Sequence, residues 1–146
     1  MSENKLLIYQ KTDNYLKNIV QKLGDRNKSP QKLTRDSLLF KVILDAILTK
    51  GGERVTSLDL TNIEESVTDF YFVCDVQTNI EMRAIAHHVE QQVKDICKER
   101  PLSIEESDEW VLVDYVNVVV HIFKPEDRTF YDIESLWMDS DKVLHN

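Results

Sequence analysis

Residues 110–123 read Trp-Val-Leu-Val-Asp-Tyr-Val-Asn-Val-Val-Val-His-Ile-Phe, two runs rich in β-branched and aromatic residues that meet at Val116-Asn117. Such residues fit a pleated surface, and two runs separated by two residues signal an antiparallel hairpin. With Val116 and Asn117 as the turn, Tyr115 opposes Val118. The pairs Asp114–Val119, Val113–Val120, Leu112–His121, Val111–Ile122 and Trp110–Phe123 then follow. Successive side chains on a strand point to opposite faces, so the hairpin separates by counting. One face holds Val111, Val113, Tyr115, Val118, Val120 and Ile122, the composition of a core. The other holds Trp110, Leu112, Asp114, Val119, His121 and Phe123, aromatic rings mixed with a carboxylate and an imidazole. Two readings of this second face stand. Either it lies under a helix with His121 hydrogen-bonded to Asp114, or it is a docking surface, since aromatic anchors beside a few polar groups make binding hot spots. Val116 works against the turn, because a type I′ turn needs φ > 0 and a β-branched residue resists it.

Working outward, Pro125 opens a short terminal helix through Tyr131, Ile133, Leu136 and Trp137. Upstream, Glu105, Glu106, Asp108 and Glu109 read as an acidic loop. Before that, Thr78-Asn-Ile-Glu81 is a capping box, and the stripe Met82, Ile85, Val89, Val93 and Ile96 predicts a helix to about Arg100, stopped by Pro101. Val55–Leu60 and Phe70–Val76 are strands, the second apolar on both faces and so central. A further amphipathic helix starts at Thr34 or Asp36 and runs through Leu38, Leu39, Val42, Ile43, Ala46 and Ile47 to Gly51-Gly52. The order helix-strand-strand-helix-strand-strand-helix predicts an α/β or α+β domain, a small mixed sheet flanked by helices.

At 146 residues, 42% hydrophobic and 30% charged, the chain supports one compact core. Residues 1–34 carry seven Lys/Arg and three Asp/Glu, the remaining 112 carry 11 and 23, so a +4 segment precedes a −12 domain. We divide the chain accordingly into a basic extension, residues 1–34, and a domain, residues 35–146. In the extension, Tyr15, Leu16, Ile19, Val20 and Leu23 predict a short amphipathic helix ended by Gly24, and Gly24–Pro30 is a linker. No run of about 18 apolar residues is present to cross a membrane, and the N-terminus lacks the apolar core of a signal peptide, which predicts a cytoplasmic protein.

Reactive constellations are scarce. Gly24, Gly51 and Gly52 fit no phosphate-binding loop, and adjacent His87 and His88 point about 100° apart on a helix and cannot share a metal ion. Cys74 and Cys97 sit in apolar segments and read as reduced and inert. Neither a metal nor a cofactor is expected. The acidic balance repels nucleic-acid phosphates and suits a basic protein partner.

Four segments together resemble the ribosomal silencing factor family, also called the Iojap family. They are Thr68-Asp-Phe-Tyr-Phe-Val-Cys, Thr78-Asn-Ile-Glu-Met-Arg-Ala-Ile-Ala86, Glu109-Trp-Val-Leu-Val-Asp-Tyr-Val-Asn-Val-Val-Val-His-Ile-Phe-Lys-Pro125 and Phe130-Tyr-Asp-Ile-Glu-Ser-Leu-Trp137. The resemblance covers roughly residues 35–140. It implies a nucleotidyltransferase-like topology without the catalytic pattern, and a non-enzymatic protein that binds the large ribosomal subunit through the ribosomal protein L-fourteen. Such binding would block joining of the small subunit and lower translation when nutrients are scarce. It also implies homodimers, and it marks Trp110, Asp114 and His121 as family-like positions. Two departures stand out: Val76-Gln77-Thr78 replaces a Gly-Thr-Ser-like segment, and Val116 replaces a glycine. Both remove close backbone approach to a nucleotide. The competing expectation is a nucleotidyltransferase-like enzyme holding Mg²⁺, for which Asp59 and Asp75 are the available carboxylate pair. For the basic extension, contact with ribosomal RNA and docking on the acidic domain are both open.

Overall fold

The computed structural model describes residues 32–146. Its sheet has six strands: β1 (Glu53–Asp59), β2 (Phe70–Asp75), β3 (Ser103–Glu106), β4 (Trp110–Asp114), β5 (Val118–Phe123) and β6 (Asp141–Leu144). They lie in the order β3-β4-β5-β2-β1-β6, with β2 and β5 parallel and every other pair antiparallel. The hairpin β4–β5 keeps the register that counting predicts, from Trp110 opposite Phe123 to Asp114 opposite Val119. Strands β2 and β5 are buried throughout, as their largely apolar sequences require, with Asp75 and His121 buried among them.

One face of the sheet carries α1 (Leu38–Thr49) and α2 (Asn79–Gln92). Phe40 of α1 meets Phe70 and Phe72 of β2 with ring centroids 4.9 and 4.7 Å apart, and Met82, Ile85 and Val89 of α2 close the same core. Each such fully buried side chain contributes about 1.5–3 kcal/mol. Thr78 caps α2, its hydroxyl accepting the Glu81 N–H at 3.2 Å, as the capping-box pattern predicts.

Four features differ from the sequence expectation. The helix expected to reach Arg100 ends its α geometry at Gln92 and continues as a π-helical turn, Val93–Cys97, before Lys98 turns left-handed at φ +58°. Widening the turn keeps Val93 in the core while Ile96 is 48% exposed and Cys97 is only half-buried. Glu105 and Glu106, expected in a loop, belong to edge strand β3, and the opposite edge is a strand, β6, that no apolar pattern announces. Edge strands bury little, so charged residues are tolerated there and the period-2 signal fades. The terminal helix is two short helices, α3 (Pro125–Tyr131) and α4 (Ile133–Leu136), broken by Asp132 at φ +46°. The helix of residues 15–23 and the linker Gly24–Pro30 lie outside the described residues.

The turn resolves the conflict at Val116 by accepting it. Val116 adopts φ +70°, and the Asn117 N–H donates to the Tyr115 carbonyl at 2.8 Å, the marks of the rarer, strained γ-turn. Asp114 compensates: its Oδ1 accepts the Val116 N–H at 2.7 Å.

Candidate docking face

Among the described residues, the second face of the sheet is covered only in part. Leu58, Leu60, Tyr71, Val73, Leu112, Val119 and Phe123 form its apolar floor, and Tyr131 of α3, Ile133 and Leu136 of α4, and Trp137 just after it lie across it. Toward β3 and β4 the cover stops, leaving a cavity of about 260 Å³ lined by Tyr71, Trp110, Leu112, His121, Tyr131, Ile133 and Trp137. Glu105, Glu106 and Ser107 stand at its rim.

Of the six hairpin residues predicted for this face, Trp110, Leu112 and His121 line the cavity. Asp114, Val119 and Phe123 are on the same face but buried, at 1%, 0% and 0% exposed, and act from beneath. Phe123 supports the Trp110 ring at 4.9 Å, Asp114 holds the turn, and Val119 packs beside Tyr71, its partner in the β2–β5 register. The expected His121–Asp114 hydrogen bond is replaced. His121 Nδ1 instead accepts the Trp110 indole N–H at 3.1 Å: Trp110 and Asp114 both lie diagonal to His121 in the hairpin, and the Asp114 carboxylate is taken by the Val116 N–H.

That bond fixes the chemistry of His121. Burial lowers its pKa to about 3, so the ring is neutral, and with Nδ1 accepting, the proton sits on Nε2. Nε2 is buried with no hydrogen-bond partner among the described residues, and the ring packs on Tyr71 at a centroid distance of 4.4 Å. A neutral imidazole whose lone pair is engaged cannot serve as a general base. Tyr131 donates its hydroxyl proton to Glu109 Oε2 at 2.5 Å, and burial together with that carboxylate pushes its pKa up to about 12. The Tyr71 hydroxyl is raised further still, by burial and then by Asp114. Cys74 is fully buried, and desolvation pushes its thiol up to about 12, the behaviour of an inert core cysteine.

The helices that wall the cavity are tied down by a residue that sequence reading missed. Arg128 of α3 is 8% exposed and donates through Nη1 to Asp75 Oδ2 at 3.0 Å and to the Arg54 carbonyl at 2.7 Å. Its Nη2 donates to Thr56 Oγ1 at 3.1 Å and its Nε to Glu134 Oε1 at 2.9 Å. This network joins α3 and α4 to β1 and β2, and so positions Tyr131, Ile133 and Trp137. Its only sequence signal is an Arg inside a short helix that follows an apolar strand. The same network removes Asp75 from metal chemistry, because its buried carboxylate is engaged by Arg54 and Arg128. Asp59 lies at the other end of the antiparallel β1–β2 pair, opposite Phe70, while Asp75 lies opposite Glu53. The two carboxylates cannot grip one ion.

Fold and site thus define a small α+β domain with a single mixed sheet, one face sealed by two helices and the other open over an aromatic cavity. The family model for ribosomal silencing factor during starvation matches residues 31–146. Ribosomal silencing factor RsfS of Halalkalibacterium halodurans is 31% identical over 110 residues, 72% of this chain and 90% of that one. A mouse protein, mitochondrial assembly of ribosomal large subunit protein 1, is 30% identical over 119 residues, 78% of this chain and 52% of that one. A crystal structure of a Chromobacterium violaceum protein superposes with a TM-score of 0.64 at 30% identity, covering 74% of this chain and 90% of that one. The chain belongs to the ribosomal silencing factor family.

Proposed function

We propose that this chain binds the large ribosomal subunit through the second face of its sheet and docks on the basic ribosomal protein L-fourteen at the intersubunit surface. Occupying that place blocks joining of the small subunit and lowers translation when nutrients are scarce, without catalysis and without a cofactor. The observation that supports this most directly is the incompletely covered aromatic face, with Trp110 held by His121 and half exposed above Phe123. Immobilised aromatic rings at the edge of a cavity have already lost the conformational entropy that binding would otherwise cost. The acidic balance of the domain favours encounter with a basic partner.

Around this core reading we place three others. The site of action is the cytoplasm. Free chains pair as homodimers through the same face, so that pairing and ribosome binding compete. The basic extension, residues 1–34, adds contacts to ribosomal RNA phosphates. The enzyme alternative, a Mg²⁺-dependent nucleotidyltransferase-like activity at Asp59 and Asp75, has the separation of those two carboxylates against it.

The test is sedimentation of the full-length chain with isolated large subunits, followed by addition of small subunits. The reading requires the chain to travel with the large subunit and joined particles to decline as its concentration rises. A chain that stays at the top of the gradient, or joined particles that form undiminished, would refute it.

A further inference from the structure

The cavity of the second face has a lining and a charge that the docking reading alone leaves unassigned. Both tryptophans of the chain, Trp110 and Trp137, line it together with Tyr71 and Tyr131. At its rim the carboxylates differ in their engagements. Glu106 stands opposite Val111, on the side of α2, and lies 3.7 Å from Arg83; Glu109 accepts the Tyr131 hydroxyl. Glu105 stands opposite Leu112, on the cavity side of β3, is exposed, and has no ion-pair partner among the described residues.

Aromatic faces attract a cation within about 6 Å of the ring centroid, and an adjacent carboxylate adds a direct ion pair. An aliphatic side chain entering this cavity would cover Glu105 and leave its charge without compensation. A phosphate would be repelled. A planar guanidinium satisfies both elements, since it stacks on rings and offers a fork of N–H donors to a carboxylate. The cavity has room for one long side chain and not for a helix.

We propose that this cavity receives a single arginine side chain of the basic protein partner, its guanidinium set against the tryptophan and tyrosine rings and paired with Glu105. The inference deepens the docking reading and rests on it for the identity of the partner, but the chemistry of the cavity can be tested without a ribosome. Because the chain's two tryptophans both line the cavity, fluorescence excited at tryptophan and not at tyrosine reports on that place alone. The full-length chain is titrated with N-acetyl-arginine amide and, in parallel, with N-acetyl-citrulline amide, which has the same shape and no charge. The proposal requires a saturable fluorescence change with the arginine probe, about tenfold weaker with citrulline, and weakened in Glu105→Gln by up to about fivefold, the range of an exposed ion pair. Glu105 is an exposed edge-strand residue, so Glu105→Gln leaves the fold intact, which an unchanged melting curve confirms.

Equal response to the two probes, or an arginine response indifferent to Glu105→Gln, would overturn the proposal. So would the absence of any saturable response while the chain still sediments with large subunits, a result that leaves the docking reading in place. Charge-selective binding in a chain that fails to sediment would support the cavity assignment and remove only the ribosomal identity of the partner.

Discussion

The two faces of the β4–β5 hairpin are built from the same fourteen residues by strict alternation, yet they do different things. Val111, Val113, Val118, Val120 and Ile122 are all fully buried beneath α1 and α2, in one apolar cluster with the side chains of those helices. The second face offers Trp110, Leu112 and His121 to a cavity and is held in shape by polar contacts, Trp110 to His121, Tyr131 to Glu109 and Arg128 to Asp75. Close packing without polar groups maximises stability, whereas a face that must stay open is kept rigid by directional bonds. The contrast separates a sealed face from an open one, to which we assign recognition, and substitutions can test each half.

The largest effect is expected on the sealed face. Phe72→Ala removes a fully buried ring that packs on Phe40 and should cost about 3–5 kcal/mol, read as a fall in the denaturant midpoint. A loss under about 1 kcal/mol would mean that this face is not the stability face.

A smaller effect is expected on the open face as pH falls. His121 has a native pKa lowered to about 3, against about 6.5 in an unfolded chain. Between those values the unfolded state binds a proton that the native state refuses. The contribution of the neutral ring is therefore complete above about pH 6.5 and is lost as pH falls toward 3. From pH 7 to 5 the native chain should lose about 2 kcal/mol more than His121→Gln, whose amide oxygen can still accept the Trp110 N–H. His145, also lowered by burial and by Arg35, is present in both chains and cancels. Parallel pH profiles would show that His121 is not held neutral by folding.

The smallest effect concerns the turn that joins the faces. At φ +70° an L side chain is strained, so Val116→Gly should be more stable than Val116→Ala by about 1 kcal/mol, the reverse of the usual order in a strand. Thermal melts of the two variants decide it, and Ala equal to or above Gly would remove the strain from the turn.

This division was partly legible before any coordinates. Period-2 alternation is local, so the two hairpin faces, their register and the burial of Phe70–Asp75 followed from counting residues. The strands at the sheet edges did not, because Ser103–Glu106 and Asp141–Leu144 each pair on one side and carry charges outward. Half of the cavity was equally hidden. Tyr71 reaches it through the parallel β2–β5 pairing, Tyr131 and Trp137 through helices anchored by Arg128, and neither arrangement leaves a periodic trace in one stretch of chain. The His121–Asp114 hydrogen bond, one of two readings of this face, gives way for a related reason: Asp114 and Trp110 share the face of His121, and the competing demand of the Val116 turn for the Asp114 carboxylate decides between them.

The claim that the open face is the recognition face is tested most directly by two substitutions, one on each face. Trp110→Ala on the open face and Ile122→Val on the sealed face are compared for binding to isolated large subunits at a temperature where melting curves show both chains folded. Loss of an aromatic anchor should cost about 2 kcal/mol or more of binding, at least about thirtyfold in affinity, while Ile122→Val should bind as the native chain does. If Trp110→Ala binds undiminished, or if both variants weaken together, the second face is not where this protein meets the ribosome.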